Sequence, residues 1–104
     1  MSASVEFLNV IEPPTSEGVK DRMRQSIDTG KPMHIVCLNL HQEVPAPEPI
    51  ALDFRVVHNT YRRDGSRTIT GALMENGQEM PDASIIVRTE ADLALQATAQ
   101  LVRA

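Results

Sequence analysis

Thr89-Glu-Ala-Asp-Leu-Ala-Leu-Gln-Ala-Thr-Ala-Gln-Leu-Val-Arg-Ala104 supplies the last element of the expected fold and its second helix. Thr89 with Asp92 three residues on resembles a capping box with a shorter acid than usual, and neither proline nor glycine interrupts the residues after it. The spacing predicts a helix from about Glu90 to Arg103. Leu93, Ala94, Leu95, Ala97, Ala99, Leu101 and Val102 would surround most of that helix, whereas a helix lying on a sheet keeps one broad polar face. Leu101 is therefore the expected centre of a self-association surface, and a homo-oligomer is the expected state.

Upstream, Glu75-Asn-Gly-Gln78 is a turn sequence, Met80-Pro-Asp82 breaks the ladder, and Ala83 to Arg88 with Ile85, Ile86 and Val87 reads as a strand. Ile50 to Tyr61 carries the clearest alternation in the chain. Ile50, Leu52, Phe54 and Val56 point one way; Asp53, Arg55 and Asn59 point the other. Asp64-Gly65 is a strong hairpin signal, since glycine accepts the positive φ of a tight turn. With these two as the turn residues, Arg62 faces Arg67, Tyr61 faces Thr68, His58 faces Gly71 and Val56 faces Leu73. The missing side chain of Gly71 then makes room for the imidazole ring.

Further upstream, Met33 to Leu40 is apolar on both alternating sets, the pattern of a strand covered on both faces. Val44-Pro-Ala-Pro-Glu-Pro49 reads as a stiff, extended loop. Val19, Met23 and Ile27 recur every fourth residue behind the capping residues Thr15 and Ser16 and before Gly30, which predicts a helix over 16–29. Val5 to Ile11 is a first strand ended by Pro13 and Pro14. The expected order β-α-β-β-β-β-α gives one α+β domain over 1–104: a mainly antiparallel sheet of about five strands with two helices.

With 104 residues, 41% hydrophobic side chains and three aromatics (Phe7, Phe54, Tyr61), one aliphatic core is expected. Fourteen acids against ten bases give a net charge of −4, so the basic excess that serves nucleic-acid binding is missing. No basic leader followed by an apolar run is visible at the start, and no apolar run is long enough to span a bilayer. With Cys37 the single cysteine, an intrachain disulfide is impossible, and the cytoplasm is the expected setting.

Catalytic and cofactor signatures are missing, and no cofactor or metal is expected. Cys37 and His41 share a strand face but stand about 13 Å apart at ~3.3 Å per residue, too far for a nucleophilic pair. Cys37 reads as a small buried hydrophobe. His34, His41 and His58 lack ligand spacing, leaving only His41 and Glu43 with a distant third donor as a metal combination. The exception to the acidic balance is the hairpin tip, where Arg62, Arg63 and Arg67 gather, with Arg55 further down the strand. Guanidinium forks suit an acidic protein surface or a phosphate. The chain reads as a small, non-catalytic protein-interaction module (an adaptor, inhibitor or assembly factor) that binds an acidic protein partner and self-associates through its last helix. The alternatives are a nucleic-acid-binding module using hairpin 61–68, or a small enzyme or ligand-binding barrel using His41, His58 and Asp53.

Overall fold

The computed structural model describes residues 4–39 and 48–104. His41, Glu43 and most of the proline-rich loop, with the readings attached to them, lie outside these residues. The order is β1 (Ser4–Glu12), α1 (Ser16–Thr29), β2 (Met33–Leu38), β3 (Ile50–Tyr61), β4 (Arg67–Glu75), β5 (Gln78–Thr89) and β6 (Thr98–Arg103). Each strand pairs antiparallel with the next, and β6 returns to pair with β1, closing a six-stranded barrel. The α+β expectation of an open sheet with two helices is therefore wrong. One helix is present among the described residues, and no helix there is long and apolar enough to cross a membrane.

The overturned element is the last one. Thr98–Arg103 is a strand whose Ala99 and Leu101 point into the barrel while Thr98, Gln100 and Val102 face out, and Ala97 just before it is buried as well. Alanine favours a helix by local propensity, but a sheet of five strands would leave both β1 and β5 with an unpaired edge. β6 satisfies both at once, pairing with β1 from Ser4↔Arg103 to Asn9↔Thr98 and with β5 from Ala83↔Arg103 to Arg88↔Thr98. Ala99 stands between Leu8 and Val87 on its two neighbours, all three buried. A small residue between larger ones suits the interior of so narrow a barrel. Thr89 caps nothing: its buried hydroxyl accepts from Arg67 N at 3.1 Å. Asp92 instead heads a turn, accepting from Ala94 N at 2.9 Å through its side chain and from Leu95 N at 3.2 Å through its carbonyl.

The helix at 16–29 forms as its periodicity predicts. Thr15 Oγ1 accepts from Gly18 N at 3.2 Å, and Gly30 closes the C-terminus at φ 72° with its N–H on Ser26 O. Val19 and Met23 are fully buried among the barrel residues, whereas Ile27, expected on the same stripe, is 55% exposed. By strand direction, α1 lies at the end of the barrel where β1, β3 and β5 finish and β2, β4 and β6 begin. Phe54, Ile35, Ile69, Ile85, Val10 and Val87 fill the interior.

The β3–β4 register differs from the expected one. The tip is a three-residue loop, Arg63-Asp64-Gly65, closed by Arg62 N donating to Ser66 O and Gly65 N donating to Arg62 O, with Gly65 at φ 93°. Tyr61 thus faces Arg67, His58 faces Thr70, and a bulge at Val57 shifts the ladder again so that Val56 faces Gly71 and Phe54 faces Leu73. The space above Gly71 is filled by the Phe54 ring and not by His58; a Cβ there would collide with that ring.

Leu101, 2% exposed inside the barrel, is no surface residue, and the helical self-association face built on it does not exist. Leu101→Glu buries a carboxylate without a partner. It is expected to lower stability by on the order of 4 kcal/mol in denaturant unfolding, a loss of folding and not the splitting of an oligomer.

Candidate interaction surface at the β3–β4 ribbon

Lys20 fixes the tip of the β3–β4 hairpin, and Ser16 fixes the connection between β5 and β6. Lys20, only 6% exposed, donates from Nζ to Gly65 O at 2.8 Å and to Glu90 O at 3.4 Å. Ser16 is fully buried; its Oγ donates to Leu95 O at 2.8 Å and accepts from Glu90 N at 3.3 Å. One face of α1 therefore binds the β3–β4 tip and the β5–β6 connection together. At the tip itself, Asp64 Oδ1 accepts from Ser66 N at 2.8 Å and Ser66 Oγ at 2.6 Å. These bonds, the side-chain one first, hold the Asp64 carboxyl below its ordinary 3.8.

Arg62, Arg63 and Arg67 are brought together at this tip. Arg62 and Arg63 are exposed, and none of the three forms an ion pair among the described residues. The expected repulsion between Arg62 and Arg67 is relieved by the register. Arg62 sits across from Ser66, while the Arg67 guanidinium lies over the Tyr61 ring at 5.2 Å. Arg67 Nε is buried and has no hydrogen-bond partner among the described residues. Arg55 does not join the cluster. It lies seven positions down β3, on the order of 20 Å away at ~3.3 Å per residue, and its Nε donates to Glu79 Oε1 at 2.5 Å. Leu101 takes no part, being interior.

The third reading, a small enzyme or ligand-binding barrel, does not find its constellation. His58 and Asp53 are five positions apart on β3 with the bulge between them, and His41 is outside the described residues. Asp53 Oδ1 instead accepts from His34 Nδ1 at 2.6 Å across the β2–β3 ladder. Sequence reading misses this pair, although opposite polar residues on two outward-facing strand sets are its available signal. Both partners are about half exposed. The one thiol, Cys37, points to the other face of β2, into the barrel, where burial pushes it up to about 12. No group of three or more His, Cys, Asp or Glu among the described residues could hold a metal ion. A second exposed surface lies on the outer face of β1, where Val5 and Phe7 are exposed and Phe7 borders an open depression of about 400 Å³ reaching Arg88, Thr98 and Gln100.

Known protein families, characterised proteins and solved structures give no match to this chain.

This geometry makes two outcomes measurable. Lys20→Met keeps the length of the side chain but strands two carbonyls. It is expected to cost about 2 kcal/mol in denaturant unfolding and to speed amide exchange at Ser66 and Glu90. Cys37 is expected to react slowly with a thiol reagent at neutral pH and fast once the protein is denatured; fast labelling of native protein would show a reactive thiolate after all.

Proposed function

We propose that this barrel is a non-catalytic protein-interaction module that presents the β3–β4 ribbon to an acidic partner. The observation that carries the reading is the set of three arginines gathered at one projecting tip without an ion-paired carboxylate among the described residues, on a chain whose net charge is −4. A positive tip on a negative body orients an acidic partner toward the tip and repels it elsewhere, which raises the rate of productive encounter. Lys20 adds to this by holding the tip loop at Gly65, so little order has to be gained on binding. Guanidinium groups on a fixed turn can donate to two carboxylate oxygens each.

The test is fluorescence anisotropy of labelled poly-glutamate titrated with the full chain at low and high salt, beside a random DNA duplex. Binding to poly-glutamate is expected to weaken as salt rises through the range where the Debye length falls to ~8 Å. Arg62→Ser with Arg63→Ser should weaken it by roughly tenfold, with stability unchanged within ~0.5 kcal/mol. Binding to the duplex alone would favour phosphate as the partner chemistry, and binding indifferent to both salt and substitution would remove the reading.

A further inference from the structure

The β2–β3 ladder stops at Met33↔Phe54, while the β3–β4 ladder continues to Tyr61↔Arg67. Beyond Phe54, then, β3 has a strand partner on one side only, and its remaining residues run about 20 Å further at ~3.3 Å each. Val57, His58, Asn59, Thr60 and Tyr61 are all exposed, so neither face of this end of the ribbon is covered. Proteins usually blunt such an edge with lysine, proline or an inward charge. Val56-Val-His-Asn-Thr-Tyr61 has none of these; it is uncharged and rich in β-forming residues, and past the bulge at Val57 the run from His58 to Tyr61 pairs regularly with β4.

We infer that the free edge of β3 from Val57 to Tyr61 takes an additional strand from the partner: an extended segment, antiparallel to β3, with acidic residues at its N-terminal end. This rests on the proposed function and names the form in which the acidic partner arrives. Antiparallel pairing starts the incoming segment beside the tip, so its first residues meet Arg62 and Arg63 and its later ones pair with the uncharged edge. Main-chain hydrogen bonds along the edge supply affinity with little demand on side chains, and the tip charges choose the partner and its direction. The tip's one carboxylate, Asp64, is engaged by Ser66, and none of the three arginines is ion-paired among the described residues, so an incoming carboxylate finds guanidinium groups to meet. A second copy of this chain fits less well. In an antiparallel edge-to-edge pair centred between His58 and Asn59, Arg62 of each copy would stand opposite Arg55 of the other.

The experiment uses the full chain and a blocked peptide of about eight residues, Glu-Glu followed by alternating Val and Thr. A twin of the same sequence, with alternate backbone amides N-methylated in the Val–Thr part, keeps the charge but loses the ladder. The unmodified peptide is expected to bind at least about tenfold more tightly than its twin and to slow exchange of those Val57–Tyr61 amides that point away from β4. Equal binding of the two, with no added protection, overturns strand addition while leaving the salt-dependent poly-glutamate contact intact. If neither peptide binds, strand addition is overturned too, and the poly-glutamate titration decides separately whether the charge reading survives. Protection of the same amides in the protein alone, rising with its concentration, would make a second copy the occupant and also overturn the inference.

Discussion

An antiparallel sheet has two edges, and this chain removes most of them by bringing its last strand back to its first. The closure depends on β6, six residues long, pairing along its whole length with both β1 and β5. The interior is set by that geometry. A barrel of six strands has a narrow interior, so Ala97 and Ala99 are required where larger side chains from neighbouring strands already fill the space. The bulge at Val57 and the long irregularity where Met80 to Ala83 lie across from Leu73 alone let the strands curve enough to meet.

Closure leaves the two ends, and one of them is plugged by α1. Its apolar stripe would suffice for a helix merely resting on the core. The buried Ser16 and Lys20 do something different, because each contacts backbone from loops far away in sequence. A lysine this buried is uncommon, and two carbonyls in place of a carboxylate satisfy its protons without building an ion pair. Connections that would otherwise be free, the Arg63-Asp64-Gly65 loop and the segment after Thr89, are held by the helix.

Much of this is legible in the residues themselves. The α1 boundaries, β1, β2, β3 and the existence of the arginine hairpin come from period, caps and turn residues that act locally. The C-terminal strand is not legible in the same way, because Ala97-Thr-Ala-Gln-Leu-Val102 satisfies two periods at once: alternation suits a strand, and alanine-rich composition suits a helix. Local propensity favours the helix, and a pairing requirement set by residues far away at the start of the chain decides for the strand. The hairpin register differs for a related reason. Asp64-Gly65 fits a two-residue turn, and in the three-residue alternative the same glycine takes the positive φ while Arg63 joins the loop. A one-residue slip there, together with a bulge at Val57 that carries no glycine or proline to mark it, exchanges the partners of His58, Val56 and Phe54. Gly71 does make room for a ring, but the ring is that of Phe54.

The same slip changes what the candidate surface is. In the two-residue register, Arg62 and Arg67 would face each other, and an anion would be needed between them for the ribbon to be stable. In the observed register, Arg67 rests on Tyr61 and the ribbon needs no anion to fold. Arg62 and Arg63, exposed and without ion pairs among the described residues, are therefore not called for by stability, and residues 57–61 of β3 stay exposed although the helix holds the tip loop at Gly65. Among the described residues, 4–8 of β1 lack a partner on β2, 78–82 of β5 lack one on β6, and 57–61 of β3 have partners on β4 alone; of these stretches only 57–61 is uncharged and runs into Arg62 and Arg63. Charge along an edge discourages pairing, and Glu6 in the first stretch and Glu79 and Asp82 in the second supply it, whereas the end of β3 has no such charge.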